Sequence, residues 1–393
     1  MPFDPAVVRA SFAVVERRAD QLTRFFYAHL FTHNPGFQAL FPERLAEQRD
    51  RFFAALTQLV LRLDEPARLA GYLAALGRDH RKFRVGPEHF PAVGASLIAA
   101  LRHFSGHSWT AAIEKAWQEA YTELSDAMIA AARDVPADAP RWWDAEVVDR
   151  RRAAADLVVL TLAPGHPYPF TAGQYLTARS ARRPQVWRPY SIACAPRPDN
   201  TLELHIRRVP DGLLSTALVN DVLPGERLRI GPPLGDAVLD PHSDRPLLAV
   251  AGGSGWGRIK ALVEQLALDG GRPATVYLAD RAGGPYDRAA AERLADRHPW
   301  LQTVLPAAGG GGAPWLRERL GRHGDCAGHE VHLSGPPGLS RALGRQLVGQ
   351  GADPASIRHD PGTDTFNRAR PLTPGEWFLD HRDVPWINRT ELG

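Results

Sequence analysis

Cysteine is almost absent: Cys194 and Cys326 are the only two in 393 residues, far apart and with unlike neighbours. That excludes a disulfide framework and a cysteine zinc site, and it fits a reducing, cytoplasmic setting. Lysine is nearly as scarce. Of 47 Lys plus Arg, only Lys82, Lys115 and Lys260 are lysine, which leaves 47 − 3 = 44 arginines and reads as a coding bias. The net charge of +3 is small and the basic residues do not cluster, so nucleic acid is not an expected partner. The densest basic group, Arg150-Arg151-Arg152, reads as a solvated loop rather than a phosphate-binding stripe. No run of about 18 apolar residues exists to span a bilayer, so no membrane insertion is expected. The start, MPFDPAVVRASF, lacks the basic flank, apolar core and cleavage site of a signal peptide. Internal repeats are missing, and so is any signature of oligomeric state.

What is present is enough chain for two or three domains at roughly 150 residues each. Hydrophobic residues at 44% and charged residues at 23% are ordinary globular values, which argues against disorder. Three textures follow one another. Residues 1–134 carry helical apolar periodicity: Leu22, Phe25, Phe26 and Leu30; then Leu69, Tyr72, Leu73, Leu76 and His80; then Ile113, Trp117, Tyr121, Leu124 and Met128. Residues 135–141, with two prolines, read as a linker. Over 142–240 the period becomes two, in Leu157–Leu162, Thr201–Ile206 and Arg227–Ile230, separated by Gly and Pro. That predicts a small antiparallel β-barrel. Over 241–360 strands Leu247–Ala251, Ala274–Leu278 and Glu330–Leu333 alternate with helices such as Ile259–Leu268, which predicts a doubly wound parallel sheet. Gly309–Gly312 reads as a flexible loop. The tail, 361–393, keeps Phe366, Trp377, Phe378 and Trp386 but shows no regular pattern.

Chemistry concentrates in the last two textures. Gly252, Gly253, Ser254 and Gly255 lie between a buried strand and a helix, where a pyrophosphate can approach the backbone and a helix N-terminus favours its charge. A tight strand-to-helix turn with no ligand would use the same glycines, so this cluster alone is a weak signal. Ser334-Gly335-Pro336-Pro337 follows another strand of the same sheet. Upstream stand Gly173-Gln-Tyr175, Arg188-Pro-Tyr-Ser191 and Gly212-Leu-Leu-Ser215. Five motifs in this order, across residues 142 to 360, resemble the ferredoxin-reductase-type flavoproteins.

The resemblance implies FAD and NADH or NADPH as cofactors. Arg188 would pair with the FAD pyrophosphate, Tyr190 would lie against the isoalloxazine, and Ser191 would hydrogen-bond near the flavin N5. Gly212 to Ser215 would present backbone N–H groups to the pyrophosphate. Gly252 to Gly255, with Gly335 and Pro336, would hold the nicotinamide nucleotide. There are departures from the pattern: Arg258 replaces a usual proline, Ser334 a usual cysteine, and Arg358-His-Asp-Pro361 stands where an aromatic often covers the flavin. Phe366 from the tail is a candidate cover. Asp280 and Arg281 follow the second strand together. An acid there favours the ribose of NADH and an arginine the phosphate of NADPH, so the choice stays open.

A histidine on an apolar helical face is ordinarily a core or surface residue. His80 has company, however: Leu76 one turn earlier, Tyr27, Phe41 and Gln48, and the segment Phe25–Pro35. Residues 6 to 133 look like the globin of the flavohaemoglobins, whose next module is such a reductase. The resemblance implies haem b, with His80 as proximal iron ligand, Tyr27 and Gln48 on the distal side toward a bound gas, and Phe41 and Leu76 packed on the haem. His29, His33, His89, His103 and His107 read as surface residues. The tyrosine and glutamate that usually back the proximal histidine fall on Phe90 and Ala132, which cannot hydrogen-bond through their side chains, so a less basic ligand is expected.

The whole reads as a multidomain oxidoreductase: an all-α globin, an antiparallel β-barrel FAD domain and an α/β NAD(P)-binding domain. The expected activity is nitric oxide dioxygenation, with O2 and NO as small-molecule substrates and Tyr27, Gln48, Tyr190 and Ser191 at the reacting centres. Two alternatives stay open. One is a haem and flavin oxidoreductase with another donor or acceptor, an organic acid or a quinone. The other is a haem gas-sensing module that regulates a reductase.

Overall fold

The computed structural model describes residues 3–41, 45–136, 138–281, 284–307 and 311–359. Internal contacts divide these into two units that part between Arg141 and Trp142. The tail from 361, with Phe366, and Gly309 and Gly310 of the glycine run lie outside the described residues.

The first unit is helical: α1 (Pro5–Val15), α2 (Ala19–His33), α3 (Ala46–Leu61), α4 (Pro66–His80), α5 (Phe90–Ser105) and α6 (Ala111–Arg133). Local chemistry sets several ends. The Asp4 carboxylate accepts from the Ala6 N–H and Thr110 accepts from the Ile113 N–H, while Pro5 and Pro66 occupy first positions that need no donor. Leu22, Phe26 and Leu30 of α2 meet Leu97 and Leu101 of α5 and Trp117 of α6 in one buried cluster. In this core the Trp117 indole donates to Ser11 Oγ at 2.9 Å. At Gly77 a Cβ would strike the Met128 carbonyl, so α4 and α6 cross backbone to backbone. The expected surface histidines divide. His33, His103 and His107 are exposed, but His29 and His89 are half-buried. His29 sits 3.1 Å from Ser96 Oγ and His89 accepts from the Gly86 N–H at 3.1 Å, so a free hydrogen-bonding edge decides their place rather than polarity.

The second unit begins with β1 (Trp143–Ala154), β2 (Leu157–Pro164), β3 (Tyr175–Ser180), β4 (Arg188–Ser191) and β5 (Leu202–Arg207), then α7 (Leu213–Asn220) and β6 (Arg227–Ile230). Their sheet runs β4-β3-β6-β1-β2-β5 with every pair antiparallel, and a bridge from Ile192 to Leu204 links its two edges. Arg150-Arg151-Arg152 is strand, not loop, paired with Leu160, Val159 and Val158. Polarity misleads here because β6 pairs only with Trp143–Glu146, so the later half of β1 has an open side that tolerates charge. Arg150 and Arg152 donate to Val219 O in the last turn of α7, where cations suit the helix dipole.

The chain continues as β7 (Leu247–Gly252), α8 (Trp256–Leu268), β8 (Ala274–Ala279), α9 (Arg288–Arg297), β9 (Leu301–Val304), α10 (Ala313–Gly321), β10 (Glu330–Ser334), α11 (Pro337–Gly349) and β11 (Ile357–His359). The sheet is parallel in the order β11-β10-β7-β8-β9. The order reverses between β7 and β10, so their carboxyl ends form the switch point where such sheets bind ligands. Every residue of both strands is buried. Among the described residues no helix is long and apolar enough to cross a membrane, and both cysteines are buried and free.

Candidate functional site

In the helical unit Tyr27 and Gln48 come together. Tyr27, on α2, is 2% exposed and ringed by Phe26, Phe31, Phe41 and Phe52 at centroid distances of 4.9 to 5.9 Å. Gln48, in the first turn of α3, hydrogen-bonds its side chain. Burial raises the phenol well above its usual pKa despite that bond and the charge of Arg49, so Tyr27 stays protonated and remains a donor. Phe41, which ends the turn Pro35–Leu40, meets the Tyr27 ring edge-on at 5.4 Å.

His80 is the last residue of α4, and its Nδ1–H donates to Leu76 O at 2.7 Å. A carbonyl only accepts, so Nδ1 carries the proton and Nε2 keeps the lone pair. Burial lowers the imidazole pKa, opposed by the Leu76 bond and Asp79, so the ring is neutral. Leu76 thus acts through its backbone. Phe90 and Ala132 are half-buried; Phe90 makes polar contacts through its backbone, its N–H donating to Pro87 O and its carbonyl accepting from the Tyr121 hydroxyl at 2.7 Å. The donor set fits a haem: a neutral imidazole with a free nitrogen, and a protonated phenol and amide in an aromatic enclosure. No motif pointed to Lys82. Its side chain is 1% exposed and pairs with Asp79 at 2.5 Å, two residues past His80.

In the second unit, β4 carries Arg188, Tyr190 and Ser191, paired through Ala178, Leu176 and Tyr175 of β3. Strand β3 alternates between buried and half-buried, but all four residues of β4 are half-buried. Tyr190 keeps some access to solvent, yet burial raises its phenol, and burial lowers the Arg188 guanidinium. A half-buried phenol and guanidinium on one strand are the kinds of group that suit a planar ring and a pyrophosphate. At the start of α7 a Cβ on Gly212 would lie 2.5 Å from Ser215 Oγ. That hydroxyl closes the turn, accepting from the Val209 N–H at 3.1 Å and donating to Gly212 O at 3.3 Å. What the segment has left to offer an anion is first-turn N–H groups.

The two glycine turns interlock at the switch point. A Cβ on Gly252 would lie 2.7 Å from Leu339 Cδ2 and 3.3 Å from Pro336 Cδ, and one on Gly255 would strike the Ser334 carbonyl. A Cβ on Gly335, at φ +146, would lie 2.9 Å from Gly252 O. Close packing between turns therefore requires these glycines before any ligand does. A Cβ on Gly253, at φ +56, would lie 3.3 Å from Asp280 Oδ1, and Ser254 is half-buried beside it.

Polar networks with no motif hold these pieces. Arg207 donates to Asp156 at 2.9 Å and to Asp280 at 2.6 Å, so Asp280 is an engaged acid, while Arg281 is exposed. Tyr286 donates to His205 Nδ1 at 2.5 Å, and His205 Nε2–H donates to Glu203 at 2.7 Å. Lys260 reaches Glu203 at 3.2 Å, Glu264 at 2.7 Å and Ala193 O at 3.0 Å. Burial would raise Glu203, but these partners outweigh it and hold the carboxyl far below its usual range. Against the usual pattern, Arg258 is 1% exposed and donates into the interior. The one signal available was a charged residue where an apolar helix face begins.

Comparison with known proteins agrees with this architecture. A globin family model matches residues 24–128 and an oxidoreductase FAD-binding domain model matches residues 144–238. The flavohemoprotein of Deinococcus radiodurans is 28% identical over 95% of this chain and 98% of its own. That of Chromobacterium violaceum is 27% identical over 91% and 98%. Among solved structures, a Malassezia yamatoensis flavohemoglobin with bound FAD and heme shares the fold, with a TM-score of 0.71 at 21% identity over 91% of this chain and 97% of that one. The ferredoxin reductase in carbazole 1,9a-dioxygenase gives a TM-score of 0.51 at 26% identity over 58% and 71%.

Proposed function

The chain belongs to the flavohaemoglobins, and from that premise we propose that this NAD(P)H-dependent oxidoreductase is a nitric oxide dioxygenase. Two NO and two O2 take two electrons from one NAD(P)H, giving two nitrates, NAD(P)+ and one proton. Haem supplies a redox-active iron when bound, and FAD supplies the step from two-electron to single-electron transfer. His80 would hold the iron through Nε2. Tyr27, kept protonated by burial and oriented by Gln48, would present its O–H to a ligand on the distal side. Phe41 would pack on the haem. Arg188 and the first-turn N–H groups of Leu213 to Ser215 would hold the FAD pyrophosphate, and Tyr190 would cover the ring. The turns at Gly252–Gly255 and Gly335–Pro336 would receive the nicotinamide nucleotide.

The observation that carries this reading is the Tyr27–Gln48 hydrogen bond inside an aromatic enclosure, a donor arrangement suited to a small diatomic ligand. The test is NO consumption by purified, haem- and FAD-loaded protein in air-saturated buffer with NADH or NADPH. Nucleotide oxidation without O2-dependent loss of NO would sink it. A second reading, an oxidoreductase of the same cofactors with another donor or acceptor, is favoured by one feature. The partner of His80 Nδ1 is the carbonyl of Leu76, a weaker acceptor than a carboxylate. Anaerobic screening of organic acids and quinones for flavin reduction or reoxidation separates the two.

A further inference from the structure

Arg258 stands three residues past the glycine turn, in the first turn of α8, where the resemblance would place a proline. Its guanidinium uses each of its nitrogens. Nε donates to Gly173 O at 3.3 Å, Nη1 to Leu333 O at 2.9 Å, and Nη2 to Ala237 O at 2.7 Å and His332 Nδ1 at 3.1 Å. These acceptors come from separate pieces of the unit. Gly173 opens the turn into β3, two residues before Tyr175, which pairs with Ser191 of the flavin strand. Ala237 lies in the connection between β6 and β7, the passage from barrel to parallel sheet. Leu333 precedes the second glycine turn.

The pieces already touch. A Cβ on Gly173, at φ +98, would lie 2.5 Å from Ala237 O and 2.9 Å from Leu262 Cδ2, so the barrel turn rests on the connection itself. The network continues beyond Arg258. His332 Nε2–H donates to Glu330 at 2.9 Å, Glu330 accepts from the Asp240 N–H at 3.0 Å and from Arg272, and Arg272 also donates to Ser243 O. The connection is thus held at Ala237, Asp240 and Ser243 by one line of side chains that starts at Arg258, buried through His332 and Glu330 and half-buried at Arg272. Burying a guanidinium is costly unless its donors are satisfied. A proline at this place would have had no donors.

We propose that Arg258 is a positioning residue for hydride transfer: by bonding barrel, connection and sheet at once, it sets the distance between the flavin strand and the nicotinamide turns. This rests on the functional reading above. Arg258 touches neither cofactor. It acts through Gly173 and Leu333, and a displacement of about 1 Å between donor and acceptor is enough to cost roughly 100-fold in rate.

The experiment uses the full-length, haem- and FAD-loaded chain with Arg258→Met and Arg258→Gln. The glutamine variant keeps a planar donor without the charge and remains testable if the methionine variant does not fold. Rapid-mixing anaerobic reduction with saturating NADH or NADPH gives the hydride-transfer rate, and the long-wavelength absorbance of NAD(P)+ against reduced flavin reports their stacking. The expected result is a rate at least about tenfold lower, with that absorbance weakened or shifted and FAD content unchanged. A variant that melts earlier but keeps both rate and absorbance would overturn the proposal and leave Arg258 a purely structural tie. If the unmodified protein's flavin is reduced by neither nucleotide, it is the functional reading that falls.

Discussion

In the helical unit Tyr27 is placed by four phenylalanines and one amide. In the second unit Arg207, Glu203, Lys260 and Arg258 are placed by charge and hydrogen bonds. Two lysines make the contrast measurable. Lys82 and Lys260 are both buried, but burial lowers Lys82, which has Asp79 beside it, whereas Glu203 and Glu264 outweigh burial at Lys260 and raise it. Helices packed on an apolar core tolerate small shifts, because dispersion and burial are non-directional. A barrel and a sheet that bind FAD and a nicotinamide nucleotide need fixed angles, and directional bonds supply them.

The largest expected effect tests whether the two regions are separable. His80→Ala should abolish haem binding, read as loss of the Soret band, and lower NO consumption by at least about 1,000-fold, comparable with removing a principal catalytic group. Flavin reduction by NAD(P)H should change by less than about twofold; a matching collapse would break the comparison. Next in size, Gly255→Ala drives a methyl into the Ser334 carbonyl. It should cost the second unit about 1–3 kcal/mol in denaturant titrations, as overpacking does, and weaken nucleotide binding while leaving the Soret band unchanged.

Lys260→Met removes a buried cation from two carboxylates and should cost about 3–5 kcal/mol, against less than about 1 kcal/mol for Lys115→Ala. Lys115 is 74% exposed and only 3.8 Å from Glu119. Equal losses would show that burial is not what separates the lysines. Smaller is Tyr27→Phe, which keeps the aromatic enclosure and removes the donor. NO consumption should fall by about 10- to 100-fold, the lower range for one hydrogen-bond donor at a reacting centre, with unfolding midpoints nearly unchanged.

The smallest effect is in pH dependence. Burial and the Arg258 charge outweigh the Glu330 hydrogen bond and lower His332 to about 4. An unfolded histidine protonates near 6.5, so between about 6.5 and 4 the unfolded chain binds a proton that the folded chain refuses. Stability of the second unit should therefore fall with pH across that window, by up to about 3 kcal/mol at 1.4 kcal/mol per unit. His332→Gln should flatten the slope. Glu330, held at about 2, adds its own loss only at lower pH.

Much of the fold was legible because periodicity reports burial directly. Arg227–Ile230 is a strand over just those residues, and the apolar stripe from Ile113 to Met128 lies on α6. Arg150–Arg152 was not legible, since charge in a strand is decided by whether a neighbour covers its open side. The site split in the same way. His80, Tyr27 and Arg188 sit in motifs with local spacing, but their partners do not: Leu76 contributes a carbonyl, and the ties of Arg258 are 21 to 85 residues away.

By itself the sequence determined three textures, the order of five reductase motifs, and the apolar stripes of the helical unit. It did so because residues three, four or two apart meet within one element. Only the tertiary structure decided that the glycine turns lock into each other, that Asp280 is engaged by Arg207, and that an arginine in a proline's place ties barrel to sheet. Those are meetings between distant segments. No local pattern encodes them, and they exist only once apolar burial has brought the strands together.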